Sequence, residues 1–420
     1  MRLFRYLAAT CKSYGIIART AVPNWSRSFP NDPVTKGNQM PSRLPLARLS
    51  ASLVAAALMA GGTSAVAQTA PLQKGITLEK VADFGHQVTG VTVAEDGRIF
   101  VNFPRWTEDS PVSVAEVRDG ATVPFPNEQW NAWRNARKDE LSPGEHWVCV
   151  QSVVADKAGN VWVLDPAAPA QGPIVPGGPK LVRVSLASSA VLQNIRFDES
   201  VATQGSYLND VRFSPDGKWA YITDSGVRGA IVLVDLGTGE AKRLLDGHPS
   251  TQPKKGLVVT ADGKPLRRPD GKGIEFAADG IALSPDGQYL YWQAIKGDTL
   301  YRIATSVLVE EGWRGDDIGG KVETVGRNGV ADGLLIDRGG KHMYITSPED
   351  DSVKVRNLQL PGSEPRLVIR DQRLRWPDTF SQGPDGTVYV TTSRIQDSAF
   401  FKPDAPIALP TSLWRLKNGK

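Results

Sequence analysis

Cysteine, histidine and long apolar runs are all scarce in this chain of 420 residues. The only cysteines are Cys11 and Cys149, and the histidines number four: His86, His146, His248 and His342. No G-x-S-x-G elbow, H-E-x-x-H helix or glycine-rich phosphate loop occurs, so the common nucleophilic, zinc-peptidase and nucleotide-binding chemistries are not expected. No nucleotide or organic cofactor is expected either. Beyond residue 67, no stretch approaches the roughly 20 apolar residues that a membrane helix requires, so no membrane span is expected in the mature chain.

Basic charge is the next thing missing once the N-terminus is set aside. Arg43 and Arg48 precede the apolar run from Leu49 to Ala60, and Ala65-Val66-Ala67 follows, the pattern of a secretory signal peptide with an A-x-A cleavage site. Residues 40–67 are therefore expected to be a signal peptide. Met40 sits where such a signal would begin, which leaves residues 1–39 as an over-extended start or a long leader. Of 49 basic and 45 acidic residues, eight and one lie in the first 67; the remainder carries 41 against 44, a net of −3. No basic block is left to grip phosphates, and nucleic acid is not an expected partner. With Cys11 in the leader, Cys149 has no partner for an internal disulfide, and an exported protein, periplasmic or extracellular, must rely on its core.

What is present is a repeat. Six segments align: 89–98 (TGVTVAEDGR), 151–160 (QSVVADKAGN), 209–218 (NDVRFSPDGK), 279–288 (DGIALSPDGQ), 332–341 (DGLLIDRGGK) and 378–387 (DTFSQGPDGT). Each is followed by a second alternating run, such as WAYITD at 219–224 or VYVTT at 388–392. Ser-Pro-Asp-Gly suits a tight turn, because proline fixes φ at the second position while Asp and Gly tolerate the later ones. Third runs (180–186, 230–236, 299–305, 352–358, 412–418) and fourth runs (VLQNIRF, AKRLLD, KVETV, PRLVIR) complete units of four antiparallel strands. This predicts an all-β, six-bladed β-propeller over residues 76–420, after a short linker at 68–75. The last repeat lacks a fourth strand, and ITLEKVADF at 76–84 is expected to supply it and hide an open sheet edge. Residues 107–148 and 249–276 read as insertions.

The repeat also makes a spatial prediction. Thr89, Gln151, Asn209, Asp279, Asp332 and Asp378 share one position at the head of the inner strands, so they should form a ring at one mouth of the channel. Polar side chains and water could simply plug it. Three neighbouring carboxylates would raise one another's pKa unless a cation neutralises them, which points to a bound cation or a cationic ligand. With neither Cys nor His in the ring, calcium or another hard divalent cation suits it, held by Asn209, Asp279 and Asp332. Where the second strands return to the same mouth lie Arg105, Trp106, Asp165, Asp224, Ser225 and Arg394; for Asp165 and Asp224 the alternative is turn capping. Trp130, Trp133 and Trp147 lie in the 107–148 insertion, which is expected either to cover the mouth or to pack against the blade edge.

The segments IFVNFPRW (99–106), VPFPNEQWN (123–131), NVWVLD (160–165), LNDVRF (208–213), AYITDSG (220–226), DGIALSPDG (279–287) and ADGLLID (331–337) resemble the major royal jelly protein and Yellow family across most of residues 80–395. The signal peptide suggests a bacterial member, of the kind described as related to L-dopachrome tautomerase. The resemblance implies a secreted propeller that takes a small cationic or aromatic ligand at the channel mouth, with tautomerase-type proton transfer for which Asp332 is the candidate base. A weaker resemblance to the SMP-30/gluconolactonase family implies a divalent-metal-dependent lactonase using Asn209, Asp279 and Asp332. Thr89 departs from that family's glutamate, and Asp279 replaces an asparagine. A third reading, a scaffold for protein partners, would require an exposed apolar patch.

Overall fold

Every repeat predicted from the turn chemistry forms a four-stranded antiparallel sheet in the computed structural model, which describes residues 75–107 and 109–418. The signal peptide, the segment before it and most of the linker lie outside these residues. The chain is a six-bladed β-propeller. Blade 3 shows the plan: Leu208–Phe213 lines the channel, and Trp219–Asp224, Ala230–Asp235 and Ala241–Leu244 follow outward in sequence order. Its turn works as the composition requires, since Asp216 accepts hydrogen bonds from Ser214 Oγ (2.6 Å) and the Lys218 N–H (3.1 Å) while Gly217 takes φ +69°.

Closure is made by the strand Ile76–Phe84. It pairs antiparallel with Thr411–Asn418, from Ile76 opposite Asn418 to Phe84 opposite Thr411, and becomes the outer strand of blade 6. Leu78, Ala82 and Phe84 are buried by this pairing, so the last blade gains ladder bonds and apolar contact that the C-terminus alone cannot supply.

One expectation needs correction. Residues 107–148 are not one insertion, because Val114–Arg118 and Ala121–Pro124 are the third and outer strands of blade 1, joined through Asp119 and Gly120, both at positive φ. These strands are short, and the outer one is mostly exposed, so little apolar alternation marked it. Only the stretch after Pro124 leaves the blade. A second excursion, residues 393–410 between the second and third strands of blade 6, went unread because it has no periodic pattern. No helix among the described residues is long and apolar enough to cross a membrane.

Candidate functional site

The ring is aimed inward by bulges. In blades 3, 4 and 6 the inner strand loses register between Leu208 and Val211, Ala278 and Ile281, and Pro377 and Phe380, so two residues oppose one on the second strand. The extra residues are Asn209–Asp210, Asp279–Gly280 and Asp378–Thr379. A threonine on the second strand handles the disturbance in several blades. Thr223 Oγ1 accepts from the Asp210 N–H (3.3 Å) and donates to the Asp279 carbonyl of the next blade (2.6 Å). Thr391 Oγ1 does the same between the Thr379 N–H and the Thr89 carbonyl. The ring backbones therefore sit close together. A Cβ on Gly280 would lie 2.1 Å from the Asp332 carbonyl oxygen, so only glycine fits there.

Around the resulting cavity stand Gln151, Asn209, Asp279, Asp332 and Asp378 of the predicted ring, with Trp106 and Ser225 from the second layer. Asn209 Nδ2 donates to Asp279 Oδ2 (2.5 Å) and to Ser225 Oγ (2.9 Å), and Asp279 is hydrogen-bonded to Asp332. Trp376 Nε1 donates to Asp332 Oδ2 (2.7 Å). A hydrogen bond between two carboxyls requires a proton on one of them. Burial is the main reason that Asp332 is pushed up to about 7, and burial followed by the charge of Asp332 raises both Asp279 and Asp378 well above the usual carboxylate range. Asp210 stands behind all three and adds to the repulsion; its own nearest cation is Arg212, at 3.8 Å. Among the described residues no Lys or Arg forms an ion pair with Asp279, Asp332 or Asp378.

The rim is aromatic and apolar: Trp106, Tyr207, Phe276, Ile295 and Ile395. Trp106 Nε1 donates to Tyr207 Oη (2.5 Å), which in turn donates to Gln151 Oε1 (3.0 Å). The free volume is ≈ 20 Å³, room for one or two waters, because two excursions close over the mouth. Residues 249–276 run from blade 3 to blade 4 as a strap tied to distant blades. Thr260 donates twice to Glu349 (2.8 Å each), Asp262 pairs with Arg375 (2.6 and 2.7 Å), and Arg268 donates to Gln171 (2.9 Å) while lying over Phe400 and Phe401. The 107–148 segment does not line the cavity; Trp133 and Trp147 are fully buried in the core instead, and Trp130 packs on Trp147.

Several predicted residues do structural work elsewhere. Thr89 accepts from Asn102 (2.8 Å) and does not line the cavity. Arg105, buried and lowered to about 10 chiefly by burial, donates to the carbonyls of Ser110, Trp147 and Val148 and so fixes the excursion after blade 1. Asp165 caps the N–H groups of Val148 (2.7 Å), Cys149 (2.9 Å) and Ala167 (2.9 Å) and pairs with buried Lys180 (2.8 Å). Asp224 caps Tyr207 (2.8 Å) and Gly226 (2.9 Å) and binds Arg243 (2.5 Å). For both aspartates capping is the role seen, as turn chemistry allows. Arg394 reaches Asp397 (3.4 Å) and the carbonyls of Leu409 and Pro410, and does not line the cavity. Buried Cys149, next to Tyr207, is pushed up to about 12 mainly by burial, which favours the neutral thiol over the thiolate.

No group of three or more His, Cys, Asp and Glu side chains among the described residues is arranged to hold a metal ion. The predicted triad does not fit one in this form: Asp279 Oδ2 and Asp332 Oδ2 already accept N–H groups, and the Asn209 amide presents a donor to Asp279. Sequence reasoning missed Asp210, Tyr207, Phe276, Ile295, Ile395 and Trp376. Asp210 was hidden because strict alternation sends it to the opposite face from Asn209, and only the bulge brings both to the channel. Trp376, two residues ahead of the last ring position, gave the one usable hint, since a buried indole seeks an acceptor.

The sequence profile of the family described as "Major royal jelly protein" matches residues 148–403, most of blades 2 to 6. The chain belongs to the major royal jelly protein family. No curated protein sequence matches it. Among solved structures, this family member is similar in fold to the calcium-binding protein regucalcin of Agrobacterium tumefaciens str. C58 (14% identity, 81% of this chain and 96% of that one, TM-score 0.47). It is similar also to a gluconolactonase of Xanthomonas campestris (14%, 81% and 89%, TM-score 0.47) and to virginiamycin B lyase of Staphylococcus aureus (14%, 81% and 99%, TM-score 0.43). These are likenesses of architecture between distant chains.

Proposed function

We propose that this royal-jelly-family propeller binds a small organic cation carrying an aromatic group, an arylalkylamine in chemical class, at the closed end of its channel. One observation carries the reading: Asp279, Asp332 and Asp378 converge in a buried site, with Asp210 behind them, and among the described residues no Lys or Arg forms an ion pair with any of the three. An ammonium group relieves that repulsion, and the rim of Trp106, Tyr207 and Phe276 suits its ring. The strap must lift for access. Its tie between Asp262 and Arg375 involves a well-exposed carboxylate and is correspondingly weak.

The hydrogen-bonded carboxyls of Asp279 and Asp332 are equipped for proton transfer. With one proton shared between Asp279 and Asp332, one carboxylate is a base and the other an acid at neutral pH. In a tautomerisation Asp332 takes a proton from one atom of a conjugated ligand and Asp279 returns one at another. The double bonds shift, and no atoms or electrons are gained or lost. The lactonase reading needs a divalent ion on Asn209, Asp279 and Asp332, whose donors are turned to one another here. The scaffold reading needs an apolar patch; among the described residues the exposed large apolar side chains are Val123, Leu192, Val227, Val258, Leu360, Ile407 and Leu409, which come from several separate segments of the chain.

Calorimetry with tyramine and dopamine tests the binding, and dopachrome conversion with and without chelator tests the chemistry. Binding weakened at least tenfold by Asp332→Asn, and turnover indifferent to chelator, are the expected results. Absence of heat with every aromatic amine at millimolar concentration would leave a water-filled plug, and chelator-sensitive hydrolysis of lactones would establish the metal reading. Export by the leader at 40–67 belongs to the same proposal and predicts a secreted species whose N-terminus lies just after Ala67.

A further inference from the structure

The opposite end of the channel carries a second cavity, where the hairpin turns of blades 2, 3 and 4 meet. Its volume is ≈ 480 Å³, within the range of small-molecule sites. The apolar lining is Trp162 and Phe213, whose ring centroids lie 4.9 Å apart, with Val154, Leu236 and Leu283. Two guanidinium groups enter it, Arg183 from the third strand of blade 2 and Arg212 from the inner strand of blade 3.

The hydrogen-bond inventory of this cavity is one-sided. Its side-chain acceptors are in use: Asp156 accepts from the N–H groups of Ala158 and Asn160 (2.9 Å each) and from Trp162 Nε1 (3.0 Å). Asp216 accepts from Ser214 and from the Lys218 N–H, closing its own turn. The donors of Arg183 are not in use. It lies over the Trp162 ring at 5.3 Å, forms no ion pair or hydrogen bond among the described residues, and keeps its Nε buried without a partner. A buried donor left unsatisfied is costly in a folded protein, and an acceptor carried by a ligand in this cavity would satisfy it. Arg212 spends one N–H on the Val211 carbonyl (2.8 Å), reaches the Leu334 carbonyl at 3.3 Å, and lies 3.8 Å from the Asp210 carboxylate, which offsets part of its charge. A stacked guanidinium presents its N–H groups as a planar fork, the geometry that a carboxylate matches in two parallel hydrogen bonds.

We infer that this lower cavity is a second ligand site, which takes a small aromatic carboxylate: the carboxylate on the fork of Arg183, with Arg212 adding positive field, and the ring against Trp162, Phe213 and Leu236. It is separate from the acidic end and selects the opposite charge. The test titrates the intact protein with benzoate and, as the neutral isostere, benzamide, followed by calorimetry. Benzoate is expected to bind and benzamide at least tenfold more weakly. Arg183→Gln should weaken benzoate at least tenfold and Arg183→Lys by an intermediate factor, since it keeps the charge and loses the fork. Asp332→Asn should leave benzoate binding unchanged, which separates this site from the upper one whether or not that one binds amines. Equal affinity for benzamide, or benzoate binding untouched by Arg183→Gln, overturns the inference. Should Arg183→Gln fail to fold, a benzoate-soaked crystal of the unmodified protein decides: density against Arg183 supports the site, and benzoate bound elsewhere or not at all refutes it.

Discussion

Asp332→Asn should make the propeller more stable at alkaline pH and leave it nearly unchanged in acid. The side chain is buried, its carboxyl is raised to about 7 chiefly by burial, and the unfolded value is near 3.8. A shift of this size, at about 1.36 kcal/mol per pKa unit, corresponds to about 4 kcal/mol of unfavourable ionisation once the group is fully charged. The sign follows from proton counts. Over roughly pH 4 to 7 native Asp332 holds a proton that the unfolded chain has released, so its contribution to stability falls as pH rises through this window and levels off above it. Asparagine cannot ionise, can still accept from Trp376, and offers an N–H where the shared proton lay. A domain of roughly 340 residues unfolds with an entropy of about 0.7 kcal/mol/K, so about 4 kcal/mol appears as a rise of about 6 °C in Tm at pH 8.5, against about 1.5 °C at pH 4.5. Differential scanning calorimetry in buffers free of amines and divalent cations reads both values. The difference between the two proteins isolates this site from carboxylates such as Glu116, lowered to about 2 mainly by Arg98, whose effect has the opposite sign and lies at lower pH. An offset that is equal at both pH values, or a wild type that is the more stable at pH 8.5, would refute the reasoning.

Three further predictions address the scaffold. Gly280→Ala forces its Cβ toward the Asp332 carbonyl and should cost about 1–3 kcal/mol in chemical denaturation, whereas Gly85→Ala, with open space around it, should stay within about 0.5 kcal/mol. Deleting the chain through Phe84 removes the outer strand of blade 6 and the burial of Leu78 and Phe84; a loss of several kcal/mol or aggregation is expected, and a fully stable truncation would mean that closure is dispensable. Asp165→Asn leaves Lys180 buried without its counter-ion and should destabilise by about 3–5 kcal/mol, measured by urea unfolding; a negligible change would show that the capping network is not structural.

Repetition made the fold legible. Six copies of one hairpin with its turn chemistry determined the blade count, the closing strand and the six positions of the ring, because local turn preferences and alternation depend on neighbouring residues alone. Blade 1 was the exception, since its third and outer strands are too short and exposed to show a period. Convergence of the ring was likewise predictable, as equivalent positions around a closed ring must meet. Which member would touch the cavity was not. Thr89 turned to Asn102, and Asp165, Asp224 and Arg394 served backbone or partner side chains, because a cap and a ligand group look identical in sequence and differ only in what stands opposite. Asp210 entered the site through a bulge, a register event between two strands that no single segment encodes. The cover came from residues 249–276 and 393–410, which have no periodicity and acquire a role only where the ring closure brings Glu349, Arg375 and Gln171 within their reach. The sequence by itself therefore determined a six-bladed ring with acidic residues at one end. Tertiary structure decided which carboxylates share a proton, since burial and mutual distance are properties of the closed ring and of no strand within it.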